Sequence, residues 1–420
     1  MHHTIVWIKK MEEEIIVGID IGTTKVCTLI ARVEEDDSFR ILGVGIEVSD
    51  GMRKGMIIDL QKTTNAIAKS IEKAQRSSGY EITSALVSIA GSHVSSINSR
   101  GTVGITNGVV SQIDINRALE AAQVVAIPHD REVLHVIQRG FTIDGQEGIN
   151  EPIGMHGYRL EVETHIITAS AASVENIRKC VEAANVKVKA FVLNPLASAE
   201  VVLTEAERQM GVMVCDIGGG TTDLAVYINN NVWYTTVISV GGDLVTSDIA
   251  YGLRLSLPDA EKVKVEYGRA KESTTNDHDT FSIRSFGEEE ATEFHYADLA
   301  YIIEARIEEI FNFVLQELKR SGYDGLLPAG IVLTGGSSLL PGIRDLASDV
   351  LGLPVRVAQP DDLNGLVDQL YSPAYSTSVG LLKWAGILTR AVKRSTRTRG
   401  LPPIGVLERV KELVKRFLPQ

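Results

Sequence analysis

Cysteine is nearly absent from this chain. The three thiols, Cys27, Cys180 and Cys215, are odd in number and scattered, with no CxxC and no His/Cys cluster beside them. That pattern argues against a disulfide framework or a structural zinc site and fits a reducing compartment. Cys27 and Cys215 lie in apolar runs and read as buried packing residues. Long apolar runs are missing as well: none approaches the ~18–20 residues needed to span a bilayer. Positive charge is in deficit, with 42 Lys and Arg against 54 Asp and Glu and a net charge of −12, which argues against general nucleic-acid binding. The start, MHHTIVWIKKMEEE, has no cleavage-site pattern and acidic residues close behind a short apolar stretch. It is not read as a signal peptide. Residues 1–14 are expected to be a loosely ordered extension in which the pair His2 and His3 implies no metal, and Met11 is an alternative start.

The 420 residues are 44% hydrophobic and 23% charged, enough for a substantial core and two to four domains. Two short phrases nearly repeat. Residues 20–25 read DIGTTK and residues 216–223 read DIGGGTTD. IIVGI precedes the first and VCTLIARV follows it; VMVC and LAVYI flank the second. These flanks are short, apolar and β-branched, so each copy predicts strand, tight turn, strand. That differs from the strand–loop–helix of a P-loop, and neither GxxxxGK[ST] nor GxGxxG occurs. Glycines let backbone N–H groups point inward and let a ligand approach without a Cβ in the way. Successive inward amides make a concave anion site, to which threonine hydroxyls add neutral donors. Asp20 and Asp216, at the strand ends, would repel a phosphate unless a cation lay between, and Mg²⁺ suits a few carboxylates, waters and phosphate oxygens. Either copy alone could be an ordinary hairpin turn; two matching copies argue for a polyphosphate held between two halves.

A third phrase, IVLTGGSS (331–338), ends a strand in Gly335-Gly336 and offers a seat for a flat ring. After it, Leu339, Ile343, Leu346 and Val350 have helical spacing. The three phrases in this order resemble the nucleotide site of the actin, sugar kinase and Hsp70 superfamily, in which two like-folded halves close on ATP. Three longer stretches narrow the resemblance: residues 134–168, 240–268 (VGGDLVTSDIAYGLRLSLPDAEKVKVEYG) and 363–382 (LNGLVDQLYSPAYSTSVGLL) are similar to the bacterial cell-division FtsA family. The likeness runs from about residue 15 to 385 and extends to the C-terminus.

The resemblance implies an α/β, two-lobed actin-like fold (a duplicated ribonuclease H-like unit) with an inserted small α/β subdomain, 1C, and a C-terminal amphipathic helix. In these terms 15–85 and 166–209 form subdomain 1A and 86–165 the insertion; 210–255 and 326–362 form 2A, 256–325 forms 2B, and 363–387 return to 1A. The run ALVSIAG and strands near 133–143 and 159–168 would build 1C, with the helix DINRALEAAQVV capped by Asp114. Ligand roles follow onto matching positions. Gly22, Thr23, Thr24 and Lys25 would meet the phosphates, as would Gly218, Gly219, Gly220, Thr221 and Thr222. Asp20 and Asp216 would hold Mg²⁺ largely through water, Glu261 and Lys264 would approach ribose and base, and Gly335, Gly336 and Ser337 would face the adenine. Read alone, Glu261 and Lys264 would be a solvated helix face. In the relative MreB an acidic residue before a proline orients the attacking water; here NPLASAE puts Asn194 in that place. Asn cannot act as a general base, though it can position a water, so ATP binding with slow or absent turnover is expected.

The tail changes character. Residues 390–416 hold nine Lys and Arg against Glu408 and Glu412, a net +7 that leaves −19 on the rest of the −12 chain. TRAVKRSTRTRGLPP reads as a basic flexible linker over 388–403, and 404–420 as a helix. Val406, Leu407, Val410, Leu413, Val414, Phe417 and Leu418 share one face, and Arg409, Lys411, Lys415 and Arg416 take the opposite side and flanks. Roughly 20 Å of helix cannot span a bilayer but can lie in its surface. Each basic residue gains ~1 kcal/mol near an anionic leaflet. Docking of this helix on its own protein is the competing reading. The family's tail is a membrane-targeting helix, and the family polymerises, binds the C-terminal peptide of FtsZ on 2B, and recruits later division proteins through 1C. This implies a peripheral protein at the cytoplasmic face of the plasma membrane at the septum, with Arg306 in the helix at 302–318 as the peptide contact. A solvated arginine is the plain alternative. A small-molecule kinase of the superfamily is the alternative function, but no catalytic carboxylate stands out and a kinase has no need of the tail. An Hsp70-type chaperone would require a β domain for which the chain ends too soon. Residues 272–294 are polar and acidic and read as a short strand pair with loops.

Overall fold

The computed structural model describes residues 15–34, 38–124, 127–271, 279–288 and 290–397. The expected extension over 1–14 and the tail helix over 404–420, with every membrane residue named above, lie outside the described residues.

Two sheets of matching plan form the centre. In the first, the antiparallel strands Ile15–Ile21, Lys25–Val33 and Phe39–Val48 are followed on the other side by the parallel strands Ser84–Ile89 and Lys187–Leu193. In the second, Val212–Ile217, Thr222–Ile228 and Asn231–Ile238 are antiparallel, and Ile331–Thr334 and Val355–Val357 are the parallel pair. The same order and sense occur twice, so the repeated phrases are the first hairpins of two like units. The first and second strands of each are buried on both faces, which is why their sequences read as unbroken apolar runs.

Helices cover these sheets by ordinary patterning. Leu60–Ser78 starts on Asp59, whose carboxylate accepts from Lys62 N (3.0 Å), and ends at left-handed Gly79. Tyr296–Ser321 buries Leu299, Ile303, Ile307, Ile310, Phe311 and Val314 at helical spacing against the second sheet. The chain then returns: Asn364–Gly365 pairs with Phe39–Val48, and helix Ser376–Arg397 packs on helix Asn194–Val202 and the first strand. The stretch 388–403, expected to be a flexible linker, is helical as far as Arg397, and the rest of it lies outside the described residues. Strands Thr280–Ile283 and Thr292–His295 form the expected pair in the acidic stretch.

The insertion is a four-stranded sheet in the order Ser95–Gly104, Arg159–Ser170, Arg131–Ile143, Gln146–Ile149, with helix Gln112–Ala122 on one face. Two expectations need correction. The run ALVSIAG is not part of it: Ser84–Ile89 sits between two strands of the first lobe, so the insertion starts after that strand and not at Leu86. Nor does Asp114 cap the helix. Ser111 does, and Asp114 is the third helical residue, returning its carboxylate to Ser111 N at 3.0 Å in a capping box.

This small sheet rests on the edge strand Asn231–Ile238 of the second lobe. Ser96 Oγ donates to Thr235 O (2.8 Å), and His165 lies between Asn98 Oδ1 (2.7 Å) and Thr235 Oγ1 (2.9 Å). Nearby, His135 Nε2 accepts from Leu193 N at 3.1 Å. Burial pushes the His135 imidazole down from 6.5 to about 4; burial, then the Arg139 charge, pushes His165 down to about 3. An unfolded histidine takes its proton near pH 6.5 while these do not, so their contribution to stability is complete above that pH and falls as pH drops toward about 4. His165→Gln is expected to flatten the fall in melting temperature between pH 6.5 and about 3. A slope equal to the parent's would contradict this.

Candidate nucleotide site

Both hairpin turns close by the same bond. Gly22 N donates to Lys25 O at 2.9 Å, and Gly218 N donates to Thr221 O at 2.9 Å. The two tips meet across the cleft between the lobes. A Cβ on Gly219 would lie 2.1 Å from Thr24 Oγ1, and one on Gly220 would lie 2.5 Å from Thr23 Oγ1. A side chain at either glycine would push the lobes apart, so bare glycine backbone faces the Thr23 and Thr24 hydroxyls. Lys25 Nζ donates to Ala374 O (2.6 Å) and lies 4.5 Å over the Tyr375 ring, poised at the cleft wall.

Behind the tips sit the carboxylates. Ser88 Oγ (2.9 Å) and Ser378 Oγ (2.7 Å) donate to Asp20. Ser198 Oγ (2.5 Å) and Thr377 Oγ1 (3.0 Å) donate to Asp216. Asp223 faces Asp216 directly across the hairpin, so their side chains share one face. Burial raises the pKa of Asp216, against the two hydroxyls; burial and the Asp216 charge hold Asp223 well above the usual carboxylate range. Among the described residues, Asp223 Oδ1 and Asn194 Oδ1 are buried without a hydrogen-bond partner. Both residues line the inner chamber of the cleft, a space of about 110 Å³.

An outer chamber of about 280 Å³ continues from it, sharing Thr24, Lys25, Gly219, Gly336 and Ala374. Its floor is the start of helix Gly242–Gly252, whose first amides, Gly242 N and Asp243 N, bond Gly218 O (2.9 Å) and Gly219 O (2.8 Å). Lys264 Nζ donates to Gly242 O (3.2 Å) and Thr246 Oγ1 (2.8 Å) and pairs with Glu261 at 2.6 Å. These two residues are thus part of the cleft and not a solvated face. Ser337 Oγ bonds Gly218 O at 3.1 Å, tying the third phrase to the second. Gly335 holds φ +83, and a Cβ there would meet Asp216 Oδ1 at 2.4 Å. Val265, 72% exposed, and Leu339, 57% exposed, form apolar walls with Leu340 and Pro341.

The structure thus gathers Asp20, Gly22–Lys25, Asn194, Asp216, Gly218–Thr221, Glu261, Lys264 and Gly335–Ser337 into one cleft. Thr222 is the exception. Its side chain is fully buried and its hydroxyl donates to Val240 O (2.9 Å), so it supports the loop before Gly242 and does not face the cleft. Arg306 lies elsewhere, on the long helix of the second lobe. Its guanidinium binds Asp248 twice, at 2.5 and 3.0 Å, and also Glu309. Sequence reasoning missed Asp223, Asp243, Val265 and Leu339. Asp223 was recoverable, since a tight hairpin puts it opposite Asp216; the apolar walls carried no local signal.

The acidic set suits a cation held partly by water. Among the described residues no group of three or more His, Cys, Asp or Glu is arranged to enclose an ion alone.

Comparison with known proteins agrees with this plan. The family model described as "Cell division protein FtsA" matches residues 213–380, and "SHS2 domain inserted in FTSA" matches 91–168. A cell division protein FtsA from Pseudomonas aeruginosa is 42% identical over 407 residues, covering 96% of this chain and 98% of its own length. Those of Bacillus subtilis and Escherichia coli K12 are each 38% identical, covering 89% and 90% of this chain and 83% and 91% of their own lengths. Among solved structures, the PilM-PilN type IV pilus biogenesis complex superposes with TM-score 0.62 at 16% identity, over 89% of this chain and 98% of that one. MreB5 of Spiroplasma citri bound to ADP gives 0.55 at 14%, over 90% and 98%. The structural likenesses establish an actin-like fold, and the sequence relatives decide the membership: this chain belongs to the FtsA family of cell division proteins.

Proposed function

We propose that this chain binds ATP with Mg²⁺ in the interlobe cleft and tethers the FtsZ ring to the cytoplasmic face of the plasma membrane at the septum. One observation carries the nucleotide half: two glycine–threonine turns from different lobes meet tip to tip in front of buried carboxylates. The amides of Thr23–Lys25 and Gly219–Thr221, with the hydroxyls of Thr23, Thr24 and Thr221, would donate to the phosphates. Lys25 and Lys264 would offset their charge. Glu261 would meet the ribose, and the adenine would lie on Gly335–Ser337 between Val265 and Leu339. Asp20 and Asp216, with Asp223 behind, would hold Mg²⁺ largely through water, and the ion would neutralise the phosphates and relieve the mutual repulsion of these carboxylates. The MreB neighbours, one bound to ADP and one to AMPPNP, support this use of the cleft.

Turnover should be slow. Asn194 lines the inner chamber, and an amide can hold a water but cannot take its proton. Steady-state hydrolysis is expected to stay far below that of ordinary actin-like ATPases, and Asn194→Glu to raise it by about tenfold or more. A Mg²⁺-dependent wild-type rate comparable to those ATPases would contradict this.

The membrane half rests on the amphipathic, basic tail. Among the described residues no helix is long and apolar enough to cross a membrane, and two surface signals, apolar face and basic flank, suffice for peripheral anchoring. The FtsZ peptide would lie across helices Gly242–Gly252 and Tyr296–Ser321. There Tyr251 is 91% exposed, three residues along from Asp248, and Arg306 would exchange part of its pairing with Asp248 for a peptide carboxylate. Filament formation and recruitment of later division proteins would use the insertion. Co-sedimentation with anionic vesicles tests the tether, comparing the full chain with one ending at Arg397, each with an FtsZ C-terminal peptide. We expect only the full chain to pellet and to carry the peptide down. Equal behaviour of the two chains would remove the tether, and Arg306→Glu with unchanged peptide affinity would remove that contact.

A further inference from the structure

A second cavity, of about 710 Å³, opens at the seam between the inserted sheet and the second lobe. It is separate from the cleft and shares no residue with it. Arg139 sits at its centre of interest. The pairing of Arg131–Ile143 with Arg159–Ser170 slips here: Gly140 opposes Glu163 and Gln138 opposes Thr164, leaving Arg139 as the extra residue of a bulge. Bulges re-aim side chains. This one sends the Arg139 guanidinium over Trp233, 3.7 Å from the ring centroid, with only 6% of the side chain exposed. Trp233 is held in turn by Ile228 O (3.0 Å) and by Tyr323 edge-on.

The buried cation is poorly matched. Arg139 Nε has no hydrogen-bond partner among the described residues. The nearest carboxylate, Glu163, is 4.0 Å from Nη2 and is already bonded by Arg100. A desolvated guanidinium with an idle donor is costly unless something else completes it, and a carboxylate does so best. The walls say what should carry that carboxylate. Gln138, Arg139, Gly140, Phe141 and Thr142 all line the cavity. Consecutive residues of a strand point to opposite faces, so a space bordered by all five runs along the strand's edge. The strand Gln146–Ile149 covers that edge at Phe141 and Ile143, and among the described residues no strand pairs with it over Gln138–Gly140. Gln209 and Asn231 also line the cavity; Gln209 Oε1 accepts from Asn230 (2.7 Å) and Asn231 Nδ2 donates to Asn229 O (3.0 Å), so Gln209 Nε2 and Asn231 Oδ1 are the atoms suited to a polypeptide backbone.

We propose that this seam is a docking site for an extended acidic peptide segment. One side-chain carboxylate pairs with Arg139, and the backbone lies along the open edge before Phe141, continuing the sheet. Glu147 on the rim and Glu163 inside would disfavour dense runs of acid, so alternation of acidic and apolar residues is the pattern that fits.

Fluorescence anisotropy with the full chain tests this. The probe is a labelled, end-capped hexapeptide alternating Glu and Val. The comparisons are the same peptide with Gln for Glu, unlabelled glutarate as competitor, and the variants Arg139→Met and Thr142→Trp. Met keeps the stack on Trp233 without the charge, and Trp at 142 fills the cavity without touching Arg139's charge. We expect saturable binding by the parent, weakened about tenfold or more by Arg139→Met and by the Gln peptide, abolished by Thr142→Trp, and not displaced by equimolar glutarate. Absence of saturable binding, or unchanged affinity in either variant, would overturn the proposal. Displacement by equimolar glutarate would overturn the peptide as occupant, leaving a small carboxylate. Thr142→Trp keeps the test decisive if Arg139→Met fails to fold.

Discussion

Everything in the centre of this molecule depends on two turns from different lobes approaching so closely that bare glycine backbone on one meets threonine side chains on the other. Thr24 against Gly219 and Thr23 against Gly220 are the points of contact, and the space behind them is too small for a Cβ. That constraint explains the glycines, and it explains the rest of the layout. Each turn is the end of a hairpin buried on both faces, so its position is fixed by a sheet and not by a loop. Helix Ser376–Arg397 then ties the arrangement together, sending Ser378 to Asp20 and Thr377 to Asp216 from adjacent positions. One element thus steadies an acidic residue in each lobe.

The electrostatic side follows from the same closeness. Asp216 and Asp223 are opposite one another in the hairpin and out of water, and both are driven toward protonation. Hydroxyls from Ser198, Thr377 and Thr221 moderate this without cancelling it. Such a site is uncomfortable alone and improves when a cation enters. Across the molecule, the inserted sheet meets the strand Asn231–Ile238, the strand that leads into Gly241, Gly242 and Asp243 at the cleft floor. The insertion therefore leans on a direct continuation of the cleft floor.

Much of this was legible in the sequence. The duplicated hairpins, the third glycine phrase, the long amphipathic helix and the two-unit plan all rest on local patterns that survive folding, because apolar runs and Gly–Thr turns have few other uses. What escaped was set by tertiary partners. ALVSIAG reads as a strand correctly, but nothing local says which sheet it joins, and it joined the first lobe. Thr221 and Thr222 are alike in sequence; strand alternation turns one to the cleft and the other to Val240. Asp114 was expected as the cap, but the helix begins at Gln112, so Ser111 takes that place and Asp114 closes the capping box. Arg306, expected to wait for a partner, had found Asp248 on a neighbouring helix.

The central claim is that the two turns jointly seat a nucleotide. Calorimetric titration of ATP with Mg²⁺ tests it most directly, using the full chain, Gly219→Ala, and Gly325→Ala as a control whose added Cβ meets nothing within 4 Å. The account predicts binding by the parent and control alike and a loss of about tenfold or more in Gly219→Ala, whose methyl group falls on Thr24 and Asp243. Equal affinity in all three chains would mean that the meeting of the turns is not what holds the ligand.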